Sequence, residues 1–254
     1  MMGAFRVFLG KELKEAWRSW RLPVILLVFL LLGISAPLIF KFIPALVPPE
    51  LKGTLEQLMK PSFEEIAGSL AKNLSQLGML VLILFNMGSI SEEKGRGQLE
   101  LLFSKPVSRS SLVLAKFCAS SLSAIGGLFL TFFAFYFYYA LLFPPAPDSF
   151  RLVLGFALFS LFALLVISFT LFASSLFSSG LWAGLLSGAF FLVLSFLPSL
   201  GKDFSRFSPS GMLGAANILM RGQAADFLDG LIVTAVAIIL FLVLAMLVLE
   251  RAEL

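Results

Sequence analysis

The chain alternates between long uncharged apolar runs and short charged segments. The uncharged runs are Leu22–Phe40, Asn73–Ser91, Phe117–Pro147, Leu152–Gly201 and Gly230–Leu249. About 20 residues at about 1.5 Å rise cross a bilayer core, so the fourth run must hold two helices, turning at Ser178-Ser179-Gly180. Six spans result, over 22–43, 73–91, 112–143, 151–177, 181–200 and 230–249. The runs are continuously apolar and lack the two-residue alternation of a membrane barrel. The pattern therefore predicts one all-α integral membrane domain over 1–254, with an interfacial helix over 1–21 and a charged loop over 92–111.

Finer periodicities fill in the connections. Phe5, Phe8, Leu9, Leu13, Ala16, Trp17 and Trp20 fall on one helical face, and Lys11, Lys14, Arg18 and Arg21 on another. This predicts an interfacial amphipathic helix with its apolar face among acyl chains and its tryptophans at headgroup level. After span one, Pro61 separates two short outer helices. The second opens on a Ser62/Glu65 capping box and presents Phe63, Ile66, Ala67 and Leu70 on one side. Between spans five and six, Ser208-Pro209 is a start signal and Arg221-Gly222 a stop signal. The short outer helix between them carries Met212, Leu213, Ala216, Leu219 and Met220 on one face. Pro209, Met212, Leu213 and Met220 are its candidate outer-gate residues, although methionine at helical spacing is more often packing than a copper site.

Within the spans, Asn86 is a polar amide in lipid, expected to face protein or water. Gly180, Gly184 and Gly188 form a smooth stripe that permits close helix approach, either within the chain or toward a second copy and the translocation path. Tyr136, Tyr138 and Tyr139 have the composition of an interfacial aromatic belt.

Composition removes whole classes of function. Charged residues make up 13% of the chain, against about 25% in soluble domains, and the mean hydropathy is +0.99. There is no histidine and a single cysteine, Cys118, so His-based nucleophile machinery, HExxH zinc sites and multi-cysteine metal sites are excluded. The first apolar run lies behind a charged segment and lacks a small-residue cleavage site, so it reads as a retained helix. Basic residues then set orientation. The side bearing both termini carries eleven Lys and Arg against seven Asp and Glu, so the positive-inside rule places it in the cytoplasm, in a plasma (inner) membrane. That excess suits topology and anionic headgroups; no dedicated nucleic-acid surface is visible. No span has a central ionisable residue, which argues against ion coupling and leaves energy to arrive from outside the membrane.

The main charged break is Ser91–Lys116. Glu92, Glu93, Lys94 and Arg96 end span two, and Gly95 and Gly97 allow a change of direction. In Gln98–Phe103, Leu99, Leu102 and Phe103 share a helical face alongside Glu100, and Pro106 stops the helix. An interfacial helix resting on lipid and a helix docking in a partner's groove share this pattern, and periodicity does not separate them.

The string EEKGRGQLELLFSKPVSRSSLVLAK resembles the signature loop of the ABC-2 family of ABC transporter permeases, in its acidic pair, glycine-rich turn, E-x-L-L run, P-V-S-R and the lysine opening the third helix. GKELKEAWRSWR is similar to that family's opening segment, and the six-span layout fits along the whole chain. The resemblance is greatest to permeases of nitrous-oxide-reductase and multicopper-enzyme maturation. It implies a permease, an exporter subunit, working as a homodimer or a pair of related permeases on separate ATP-binding cassette subunits.

The loop over 92–106 would then be the coupling helix, with Glu92, Glu93, Lys94, Gly95, Arg96, Gly97, Leu99, Glu100, Leu102, Phe103, Pro106 and Arg109 as its docking set. ATP and Mg would belong to the partner, because the chain has no G-x-x-x-x-G-K-[ST] loop and is expected not to be an enzyme or to bind a cofactor or metal itself. The related permeases often carry a basic residue between spans four and five, which this chain lacks. A membrane scaffold that recruits a partner without transport is the alternative reading; an intramembrane enzyme is remote.

Overall fold

The computed structural model describes residues 2–46, 61–99, 108–145, 149–201 and 208–251. All regular structure among them is helical, and the chain is an all-α membrane protein. In order, the helices are α1 (Met2–Arg18), α2 (Arg21–Leu46), α3 (Phe63–Asn73), α4 (Met79–Asn86), α5 (Ser91–Gly95), α6 (Arg109–Leu142), α7 (Ser149–Leu176), α8 (Gly180–Phe196), α9 (Pro209–Met220) and α10 (Leu228–Arg251).

Among the described residues, five stretches are long and apolar enough to cross a membrane: Arg21–Phe42, Phe63–Gly95, Arg109–Leu142, Ser149–Leu176 and Leu228–Arg251. The shorter apolar helix α8 has 17 residues, at the low end of what a crossing needs. A single 3₁₀ turn, Leu197–Leu200, follows it.

The second stretch differs from the sequence expectation. Its outer helix is not a separate cap: α3 runs through a π turn, Leu74–Gly78, directly into α4. The 33 residues of Phe63–Gly95 correspond to about 50 Å of helix, well beyond a hydrocarbon core of about 30 Å. One rod therefore supplies both the outer segment and the crossing. The Ser62/Glu65 capping box is formed, with Glu65 N–H donating to Ser62 Oγ at 3.3 Å and Ser62 N–H to Glu65 at 3.1 Å.

α7 is the central helix. It packs against α10, α9, α6, α8 and α4, and its Phe159, Phe162, Leu165 and Ile167 are fully enclosed. The most extensive pairing among the described residues is between α2 and α6. A Cβ on Gly33 would lie 2.6 Å from the Thr131 carbonyl oxygen, and one on Gly127 3.0 Å from the Phe29 ring. Thr131 Oγ1 spans the crossing by donating to the Phe29 carbonyl at 2.8 Å. Lipid is as apolar as leucine, so this close small-residue packing and its interhelical hydrogen bond drive the association.

At the end of the fold away from α5, α9 matches its sequence signals. Ser208 caps it through Gly211 N–H at 3.3 Å, Pro209 opens it, and Gly222 turns the chain at φ +84°. It is wedged against α7, where a Cβ on Gly155 would strike Met220 at 2.6 Å. The Arg221 guanidinium lies over Gly68 of α3, and Arg151 donates to the Gly222 carbonyl. Tyr139 departs from the expected belt: it is buried, edge-on to Phe63 at 5.2 Å, and so belongs to the core.

Candidate functional site

The charged segment after span two sits where α1, the start of α6, the α7–α8 turn and the end of α10 converge. Sequence local to the segment ends the crossing at Met87–Ile90, where the helix opens before α5 begins. Two N–H groups left without regular helical acceptors there, on Ile90 and Ser91, donate to Ser174 Oγ of α7 at 3.0 and 2.9 Å. Ser174 in turn donates to the Met87 carbonyl at 2.8 Å. A buried serine from a different span thus does the work of an N-cap.

α5 then rests on the α7–α8 turn. Gly95 is helical, so its role is not a change of direction: a Cβ there would lie 2.6 Å from the Ser178 carbonyl oxygen. The turn itself is made by Gly97, at φ +68°. One turn earlier, a Cβ on Gly180 would lie 3.2 Å from Gly88 Cα, and one on Gly184 2.6 Å from Met87 Sδ. Gly188 meets nothing within 4 Å. Two glycines of the stripe therefore pack span five against the break in span two, and the third stays open. Asn86 does not join them. It is buried, donates to the Leu82 carbonyl of its own helix at 2.7 Å, and borders a cavity of about 50 Å³ together with Glu12, Glu15, Arg21 and Ser123.

Electrostatics bind the segment to α1. Lys116 of α6 is only 3% exposed, and its Nζ lies 3.0 Å from both Glu12 Oε1 and Glu93 Oε1. Lys11 reaches Glu93 at 3.3 Å from the more exposed side. Burial alone would lower the pKa of Lys11, but attraction to Glu93, Glu12 and Glu15 outweighs it and raises it above the ordinary lysine value. Glu92, in contrast, lies toward solvent, 3.4 Å from Arg96 and 3.9 Å from Arg21. Arg109 caps the other end of the assembly, donating to the α10 carbonyls of Leu249 and, at 2.8 Å, Glu250.

The proposed docking residues are therefore divided. Glu93 and Arg109 are engaged with α1, α6 and α10, and Leu99 is buried in the chain's own core. Arg96 is exposed, and Glu92 and Lys94 are partly so. Glu100, Leu102, Phe103 and Pro106 lie outside the described residues. The expected outer-gate residues Met212, Leu213 and Met220 are buried between helices, and Pro209 forms the first turn of α9.

The apolar face of α1 also differs from expectation: Phe5, Phe8 and Leu9 pack onto the helical core, while Trp17 and Trp20 remain exposed. Glu12, Lys116 and Ser174 form the contacts that periodicity did not identify as a group. Glu12 lies only four residues after Phe8, and that i,i+4 spacing puts it on the packed face.

The family model for ABC-2 family transporter protein matches residues 7–254. The chain belongs to the ABC-2 transporter family. It is also similar to an uncharacterized transmembrane protein of Bacillus subtilis (strain 168), YxlG, with 29% identity over 232 residues, covering 89% of each chain. In this ABC-2 protein the described start of the charged loop, Ser91–Leu99, is thus held by the chain's own helices: by α7 and the turn after it through Ser174 and Ser178, and by α1 and α6 through Glu93.

Proposed function

We propose that this chain is the permease subunit of an ABC-2 transporter, moving its substrate with energy from separate ATP-binding cassette subunits that dock at the end carrying α5. The observation that carries this reading is the seating of α5. Ser174 holds its first N–H groups, and Gly95 lies against the Ser178 carbonyl, so a push on the charged segment is delivered directly to α7 and α8. Family membership supports a permease role, and the clustering of Lys14, Arg18, Arg96 and Arg251 near this end supports a cytoplasmic location for it in a plasma membrane.

The side chains of exposed Arg96 and part-exposed Glu92 and Lys94 are the polar contacts we assign to the cassette subunit, with Leu102 and Phe103 as its apolar anchors. We further assign a homodimeric assembly, with the open Gly188 surface facing the second copy. The spans lack central ionisable groups, which favours a hydrophobic or amphipathic cargo over one held by counter-ions.

The test is co-purification of the permease with a co-expressed cassette ATPase. The unaltered chain should bring down the ATPase, and Leu102→Asp with Phe103→Asp should lose it while remaining folded. Retention of the complex by the double variant would contradict docking at this segment.

A further inference from the structure

We propose that Lys116 is a positioning residue: its shared ion pair with Glu12 and Glu93 makes α1 and α5 move as one body. The role depends on its geometry. One enclosed ammonium lies 3.0 Å from a carboxylate on each of two other elements, Glu12 and Glu93, which are 81 residues apart in sequence (93 − 12). Carboxylate oxygens of Glu12, Glu15 and Glu93 all lie within 4.8 Å of one another. Without the buried cation these like charges would face each other across the α1–α5 junction and drive the elements apart.

Glu93 Oε2 is buried and accepts no hydrogen bond from the described residues, so this carboxylate is already short of donors before Lys116 is removed. Lys11 contacts the same carboxylates but is half exposed, and water and salt weaken its hold. Lys116 is therefore the keystone, and Lys11 is secondary.

The consequence is directional. α1 leads through Trp20, whose φ of +62° is a left-handed conformation disfavoured for a bulky side chain, into span one at Arg21. A displacement of α5 reaches α7 and α8 through Ser174 and Ser178; through Lys116 it also reaches α6, α1 and the entry to span one. What this unit does in a working transporter rests on the proposed coupling role, but its existence does not.

Its test uses the full-length permease alone in lipid nanodiscs. Spin labels are placed at Lys14→Cys on α1 and Gln98→Cys beyond α5, both exposed positions, in a Cys118→Ser background diluted with unlabelled chain. The unaltered chain and Lys116→Arg should give one narrow distance. Lys116→Met should give a longer, broader distribution, with the population of the separated arrangement raised by about a hundredfold.

Glu93→Gln is the second variant, for use if Lys116→Met does not fold, and should also lengthen the distance. Lys11→Met should change it little. Identical narrow distributions in the folded Lys116 and Glu93 variants would overturn the proposal. Co-purification with the ATPase is scored separately, so a failure of docking is distinguishable from a failure of this junction.

Discussion

At the scale of single residues, a few polar groups are placed against a break or a backbone. Ser174 accepts two N–H groups and donates to a carbonyl within one buried site. Leaving a buried donor unsatisfied costs about 1–3 kcal/mol, so Ser174→Ala should destabilise the chain by about 2–4 kcal/mol. Thermal unfolding in detergent should register the loss, and protease cleavage near Gly97 should rise. Glycine effects should be as selective. Gly33→Ala forces a Cβ onto the Thr131 carbonyl and should cost about 1–3 kcal/mol, whereas Gly188→Ala has open space around it and should leave unfolding unchanged. If transport then falls in folded Gly188→Ala, the open surface has a partner.

Lys11 gives a pH test at the same scale. Its pKa is raised by its carboxylate neighbours, so its contribution to stability is complete below the ordinary lysine value and is lost only as pH rises through the raised one. Stability curves of the unaltered chain and Lys11→Met should therefore run parallel through neutral pH and converge only in strong alkali.

Elements were legible in the sequence to the extent that their signals were local. α9 begins and ends where Ser208-Pro209 and Arg221-Gly222 place it, because a cap, an N1 proline and a left-handed glycine act over a few residues. Ser208→Ala should accordingly cost about 1 kcal/mol of stability, measurable by unfolding. The boundary at Asn73 was less legible: Lys72 interrupts the hydropathy there, but a charge at the outer part of a long helix does not stop the helix. Tyr139 was misplaced for a related reason. Its composition suits an interface, yet only the arrival of Phe63 from another helix settles which way the ring faces.

Least visible was the α1–α5–α6 junction. Glu12, Glu93 and Lys116 come from three elements, and hydropathy treats each merely as the edge of an apolar run. Helical spacing nonetheless contained one clue, Glu12 on the face of Phe8.

For the whole molecule, the fold divides into two tied ends around α7. One end is tied by α9, Arg151 and Arg221; at the other, α1 and α5 meet around the buried Lys116 charge of α6, and the α10 terminus is tied to α6 by Arg109. The charge bias predicts a definite orientation. A single cysteine at Gln98 should react with an impermeant maleimide only after the cells are opened, and one at Gln223 should react from outside; the reverse pattern would refute a cytoplasmic α5.

The central claim is that energy enters through α5, and the most direct measurement is ATP hydrolysis by the cassette subunits with and without the permease in nanodiscs. The unaltered permease should change the hydrolysis rate. Gly95→Val, which unseats α5 from the Ser178 carbonyl, should bind the ATPase yet lose most of that change. A rate indifferent to the permease, or a full response from Gly95→Val, would contradict the account.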